Sequence, residues 1–267
     1  MSETAGRAAP EPASEGAPRC ARAAGPWLLA IESASEPASV ALLHAGEPVG
    51  ERVVPPGRPA SEALLPSLLE LLAAHGLEPA ALDAIAVSIG PGSFTGLRVG
   101  VATAKGLAFG SEVAVAAVPT LAALAAKAAA RGGPAALVVA TLDARRGELY
   151  AAAHAGDDPL APPRWGPAVV PLEALADRLA AEPGPLLLVG EGADALAAAV
   201  AARGGAPPRA LAPPEGAPDA TWVGRLGARL LAAGKGVAAA ELAPVYVRRA
   251  EAEVRRTGLR FEPPEPL

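Results

Sequence analysis

A chain of 267 residues, 51% of them hydrophobic and 19% charged, can bury a substantial core in one large domain or two small ones. Lys+Arg 23 against Asp+Glu 28 leave a formal net charge of -5, which argues against a free-standing nucleic-acid binder, because such proteins carry a basic surface that displaces counterions from phosphates. No apolar run reaches the roughly 20 residues that cross a bilayer, so no membrane association is expected.

Residues 1–26 mix Glu3, Arg7, Glu11, Glu15 and Arg19 with Ala and Pro and lack the apolar stretch of a secretory signal, which predicts a disordered tail. The single cysteine, Cys20, cannot close an internal disulfide and fits a reducing, cytoplasmic setting. WLLAIESAS from Trp27 predicts a buried strand, and SVALLHAGEPVGERVV two more around the turn His44 to Glu47. Ser61 is an N-cap candidate for a helix carrying Leu64, Leu65, Leu68, Leu69 and Leu72 to a stop at Gly76. AIAVSIG, a Gly/Pro loop, a helix from about Thr95 to Phe109 and a strand near Val113 to Val118 complete a βββαβαβ half.

A helix after Pro119 opens the second half, followed by the strand ALVVATLDA to Asp143 and a hairpin through Arg145, Arg146 and Gly147 into ELYAAAH. PLEALADRLAAE, PLLLVGEG, ADALAAAVAARG and TWVGRLGARLLAAG then read as helix, strand, helix and helix. A hairpin followed by alternating helices and strands thus occurs twice, although no sequence repeat demonstrates duplication. Two lobes of mixed sheet with helices outside are the expected α/β layout, 27–118 and 119–249, with a return of the last helix to the first lobe left open and a charged tail over 250–267.

The segment from Ser88 to Gly110, SIGPGSFTGLRVGVATAKGLAFG, runs from strand through glycine-rich loop to helix, an arrangement able to hold an anion. It matches neither nucleotide motif tested. Counting from Gly90, the sixth position of a dinucleotide fingerprint falls on Thr95, and Gly96 is followed by Leu97 and Arg98 where a P-loop needs Lys and Ser or Thr. Gly96, Gly100 and Ala104 recur every four residues, so one helix face lets another backbone approach closely. That strip either packs inside the protein's own core or, with Leu64, Leu68 and Leu72, meets a second molecule.

Catalytic groups are sparse. His44, His75 and His154 lie at a turn, a helix end and a strand end, form no ligand motif and read as solvated. Ser33, Ser35, Ser93 and Thr95 have no evident activating base, and Ser93 reads as a loop or cap residue. Glu32 and Asp143, each at a strand end, could face one another across an interlobe cleft, but an ion pair of Asp143 with its neighbouring arginines accounts for it with less machinery. The Gly190-Glu191-Gly192 loop is a weak phosphate signal because Glu191 repels an anion. No catalytic, cofactor-binding or metal-binding residue is assigned.

LLAIESAS, GPGSFTGLRVGVATAKGLAFG, LDARRGELY and APVYVRR, in this order, resemble the signatures of the TsaB (YeaZ) family of tRNA threonylcarbamoyladenosine biosynthesis proteins, over about Trp27 to Arg249. The resemblance implies an actin-like (ASKHA, Hsp70-like, ribonuclease H-like) two-lobe fold. It also implies a non-catalytic subunit, an inactive paralogue of TsaD, that binds and activates TsaD in forming N6-threonylcarbamoyladenosine at position 37 of tRNAs reading codons that start with A. TsaE would join a ternary complex, tRNA would be met only through the complex, and the chain alone would form a homodimer through overlapping surface. The interface implied comprises Leu64, Leu65, Leu68 and Leu72 of the first helix, with Ser93, Phe94, Thr95, Gly96, Arg98, Val99, Gly100, Thr103, Ala104 and Leu107 around the second. Gly100→Arg would then block docking and leave the chain folded. TsaD-type chains carry a histidine pair on the helix matched here by Ser61 to His75, and the family usually has Asp where Glu32 stands. The alternative is an independent actin-like enzyme, a nucleotide-dependent transferase or an M22-type metallopeptidase, using Glu32 and Asp143; a direct tRNA contact through Arg248, Arg249, Arg255 and Arg256 is disfavoured by charge.

Overall fold

Strand β1 (Trp27–Glu32) is buried along almost its whole length because it is the middle strand of a five-stranded sheet. It pairs antiparallel with β2 (Ser39–His44), which pairs antiparallel with β3 (Glu47–Val53). On its other side it pairs parallel with β4 (Ala84–Gly90), and β4 with β5 (Ala114–Pro119). The computed structural model describes residues 25–55, 57–132, 137–156 and 161–248. The N-terminal expectation therefore lies outside the described residues except for Gly25 and Pro26, and the charged C-terminal segment lies wholly outside. Pro26 is held in place, its carbonyl accepting from Ala45 N at 3.0 Å.

The second sheet repeats the first. Its strands β6 (Leu137–Asp143), β7 (Glu148–Ala155), β8 (Trp165–Pro171), β9 (Leu186–Gly190) and β10 (Arg209–Leu211) are arranged β10-β9-β6-β7-β8, the same pattern as β3-β2-β1-β4-β5 read from the other edge. The senses of pairing also agree: β6–β7 and β7–β8 are antiparallel, β6–β9 and β9–β10 parallel. The duplication that the sequence does not display is therefore present in the topology.

Helices α1 (Ala60–Ala74) and α2 (Phe94–Ala108) cover one face of the first sheet through Leu64, Leu68, Leu72, Val101 and Ala104. Helices α4 (Leu172–Ala180) and α5 (Ala193–Ala202) cover the matching face of the second. The remaining two are exchanged. Helix α3 (Thr120–Gly132), which follows the first sheet, lays Leu121, Leu124 and Ala128 on the second, while α6 (Ala220–Ala232), which follows the second, lays Val223 and Leu226 on the first. Gly224 and Gly227 permit the close fit of α6, since a Cβ on either would stand 2.4 Å from Leu43 or Ala86 of the sheet.

The exchanged helices are tied by a buried cation. Lys127 of α3, 4% exposed, places Nζ 2.7 Å from Asp219 Oδ2 and donates to Ala217 O at 2.6 Å. Asp219 also caps α6, its Oδ1 accepting from Trp222 N at 2.9 Å. An ion pair this enclosed is costly to break from one side, because the other charge is left in a poorly solvated site.

Three local readings are corrected. Helix α1 starts one residue before Ser61, with Pro59 as N-cap and no side-chain cap; proline's fixed φ, here -64°, sets the entry without a hydroxyl. At its other end His75 is the C-cap, and Gly76 follows with φ +65°, where a side chain would be strained. Strands β8 and β10 were not anticipated: both lie at sheet edges, and β8, containing Gly166 and Pro167, has no buried residue to reveal a period. Among the described residues no helix is long and apolar enough to cross a membrane.

Candidate interaction face and interlobe cleft

At the end of β1 the chain turns into a loop that α2 clamps from above. Glu32 caps this loop from inside, Oε1 accepting from Ala34 N at 2.6 Å and Ser35 N at 3.1 Å. Its carboxyl is fully buried with Oε2 unpartnered, and burial pushes it up to about 7 despite the hydrogen bonds it accepts. Ser33 Oγ donates to Gly96 O at 2.9 Å, and Ser93 N donates to Ala34 O at 2.7 Å. Ser93 is the N-cap of α2, its Oγ accepting from Gly96 N at 3.2 Å, the role its sequence context suggested.

This clamp decides which way the small-residue strip faces. A Cβ on Gly96 would lie 1.9 Å from Ser33 O, and one on Gly100 2.2 Å from Ser33 Oγ, so these glycines are pressed on the backbone and side chain of the protein's own Ser33. Gly96, Gly100 and Ala104 are buried, as are Leu64, Leu68 and Leu72. These six assignments to a docking surface are corrected, because their side chains or Cα atoms are already enclosed. Gly100→Arg would disrupt the fold rather than spare it. The other eight residues remain accessible: Leu65, Ser93, Thr95 and Arg98 are exposed, and Phe94, Val99, Thr103 and Leu107 half-buried. Leu65 and Leu69 stand exposed on α1 at 47% and 43%, and α1 packs against α2, on which the half-buried Val99, Thr103 and Leu107 recur every four residues and so share one side.

Between the sheets lies a cavity of about 410 Å³ bordered by the Ala34–Glu36 loop, Pro91–Phe94, Leu142–Arg145, Glu191 and residues 245–248. Asp143 borders it; Glu32 does not, so the two acids do not form the facing pair considered from the sequence. Asp143 instead pairs with Arg145 at 3.3 Å and accepts from Arg145 N at 2.7 Å. The Gly190–Gly192 loop is stitched to β6, Asp143 N donating to Glu191 Oε2 at 2.8 Å and Thr141 Oγ1 to Glu191 O at 2.8 Å. Gly190 takes φ +110° with Thr141 O where a Cβ would be, a packing reason for that glycine. Among the described residues no group of three or more His, Cys, Asp or Glu could hold a metal ion.

Two histidines depart from the solvated reading. His154 is 4% exposed in β7 with both ring nitrogens unpartnered, and burial pushes its pKa down. His44 lays its ring on Trp27, centroids 4.3 Å apart. The segment leaving α6 has a role that the residue pattern did not suggest. Lys105 Nζ reaches Ala240 O at 3.1 Å, Leu242 enters the first core, and Tyr246 meets Phe94 and Arg98. The one available signal was APVYVRR, legible only as a family signature.

Duplicated sheets, exchanged helices and a cleft between them define a two-lobed protein of the actin-like fold. YeaZ from Pseudomonas aeruginosa superposes with a TM-score of 0.68 at 33% identity, covering 83% of this chain and 99% of that one. A family model of TsaD, tRNA N6-adenosine threonylcarbamoyltransferase, matches residues 53–159. The tRNA threonylcarbamoyladenosine biosynthesis protein TsaB of Escherichia coli (strain K12) is 40% identical over 95 residues, 36% of this chain and 41% of that protein. The protein of the same name from Haemophilus influenzae is 47% identical over 87 residues, 33% of this chain and 36% of that protein. These alignments span less than half the length of the curated relatives. The chain belongs to the TsaB/YeaZ family.

Proposed function

We propose that this chain is a non-catalytic partner subunit that docks on TsaD and activates it in forming N6-threonylcarbamoyladenosine at position 37 of tRNAs reading codons that start with A. The observation that carries the proposal is the exposed apolar pair Leu65 and Leu69 on α1, which packs against α2 with its partly exposed Val99, Thr103 and Leu107, inside the stretch that resembles TsaD. An apolar face on two adjacent helices suits an equivalent helix pair on a related chain. Activation requires that docking favour the competent state of TsaD, since a partner shifts an equilibrium only by its differential affinity. TsaE joins this pair, tRNA is met through the assembly in the cytoplasm, and in the absence of TsaD a second copy uses the same face. The sealed Glu32 and the ion-paired Asp143 favour this reading over an independent transferase or metallopeptidase.

The test is reconstitution with TsaC, TsaD, TsaE and tRNA, with and without this chain, and with Leu65→Glu/Leu69→Glu. Modification should fall to background without the chain, and the double variant should stay folded yet fail to co-elute with TsaD. Full modification without the chain, or undiminished co-elution of the variant, overturns the proposal. Stoichiometric metal or robust turnover by the isolated chain, lost in Asp143→Ala, establishes the enzymatic alternative instead.

A further inference from the structure

The polypeptide that leaves α6 is fastened first to one lobe and then to the other. Val237 N donates to Val115 O at 2.8 Å beside β5, and Leu242, 2% exposed, enters the core beneath α1 and α2. Val245 N donates to Ile89 O at 2.7 Å, and Gly90 leaves room for this strap, since a Cβ there would stand 2.5 Å from Val245 O. The Tyr246 hydroxyl accepts from Arg98 Nε at 3.1 Å, and its ring lies 4.8 Å from that of Phe94, over which the Arg98 guanidinium sits at 3.8 Å. All these partners belong to the first lobe.

Two residues later the partners change. Arg248 Nη1 donates to Ala144 O at 2.6 Å in the β6–β7 turn and Nη2 pairs with Glu148 at the start of β7, both in the second lobe. The Arg248 and Glu148 side chains are 21% and 25% exposed, so the pair is better shielded than an ordinary surface ion pair. The turn it grips is strained: Arg145 and Arg146 both have positive φ, 67° and 58°, a conformation unfavourable for residues with a Cβ. Such backbone persists when its surroundings over-determine it. Here Asp143 holds Arg145 N from one side and Arg248 holds Ala144 O from the other.

We infer that residues 242–248 form an interlobe latch, in which Leu242 to Tyr246 anchor on the first lobe and Arg248 closes on Ala144 and Glu148 of the second, fixing how far the cleft opens. The physical case is one of placement. Helices α3 and α6 join the lobes through their inner faces, whereas Arg248, Ala144 and Arg145 all border the cleft, so this contact opposes its opening directly. Domain closure in two-lobed proteins turns about a few hinge residues, and a contact bridging the cleft away from them limits how far the lobes part.

The test uses the full chain, mixed with an excess of unlabelled chain so that only distances within one copy are read, with spin labels at Ala102→Cys on α2 and Ala198→Cys on α5, exposed positions on the outer layers, in a Cys20→Ser background. Pulsed dipolar spectroscopy should give one narrow distance for the otherwise unaltered chain. Arg248→Glu should broaden and lengthen it, and Arg248→Glu combined with Glu148→Arg should restore it in part, in chains whose circular dichroism shows them folded. An unaltered distribution in a folded Arg248→Glu chain overturns the latch. If that variant fails to fold, Glu148→Gln is measured in its place, and an unaltered distribution there overturns the latch equally.

Discussion

Ser33 and Gly96 are joined twice: the Ser33 hydroxyl donates to the Gly96 carbonyl at 2.9 Å, and the Ser33 carbonyl occupies the place where a Gly96 side chain would start, 1.9 Å from an ideal Cβ. Helix α2 is thereby seated on the loop after β1 by backbone contact. Gly96→Ala gains about 1 kcal/mol in helix propensity. The clash is with backbone that cannot rotate aside, so the net effect should be a loss of about 1–3 kcal/mol in denaturant unfolding. Gly100→Arg should be recovered mainly unfolded. A soluble Gly100→Arg chain with the original melting temperature contradicts this seating.

Leu64 and Leu65 are neighbours in sequence with opposite fates, one fully buried and the other 47% exposed. Leu64→Ala or Leu68→Ala should cost about 2–5 kcal/mol, the loss expected for emptying a core site. Leu65→Glu should change stability by no more than about 0.5 kcal/mol and weaken TsaD binding. Calorimetry beside a pull-down separates the two effects, and equal destabilisation at both positions would remove the distinction.

Glu32 sets a pH dependence opposite to that of most carboxylates. Its pKa is raised by burial from the ordinary 4.5 to about 7, so between these values the folded protein keeps a proton that the unfolded chain has released. Its contribution is present in full below 4.5 and is lost as pH rises toward 7, on the order of 3 kcal/mol in all. Glu51 is shifted the same way, first by burial and then by Asp219. Glu32→Gln should flatten this part of the curve and stabilise the chain at pH 8 relative to pH 5. Parallel stability curves for the two proteins refute the assignment.

His154 works in the other direction. Burial lowers its pKa, so stability falls as pH drops below the ordinary 6.5 and the unfolded chain takes up the proton. With both ring nitrogens unpartnered, His154→Leu removes two buried polar atoms that gain nothing from folding. It should stabilise the chain by about 1 kcal/mol at pH 8 and by more at pH 5.5, measured by urea unfolding. A destabilised His154→Leu chain would show that the ring has a partner in solution.

The sequence by itself determined the order of nearly all helices and strands, since apolar runs such as LLAIE and ALVVATLD and the breaks at Pro55 to Pro59 and Arg145 to Gly147 are local signals. It also carried the ordered signatures from LLAIESAS to APVYVRR through which the family was legible. Orientation was decided only by tertiary structure. A small-residue strip at Gly96, Gly100 and Ala104 satisfies a close contact with any backbone, and only the arrival of Ser33 from 63 residues earlier decides that the backbone is the protein's own. His154 reads as a surface residue among alanines until β7 is placed inside the second sheet with α3 packed upon it. Arg248 likewise gains its meaning from Ala144 and Glu148, about a hundred residues away, because periodicity reports which residues turn inward together and nothing about what they turn to meet.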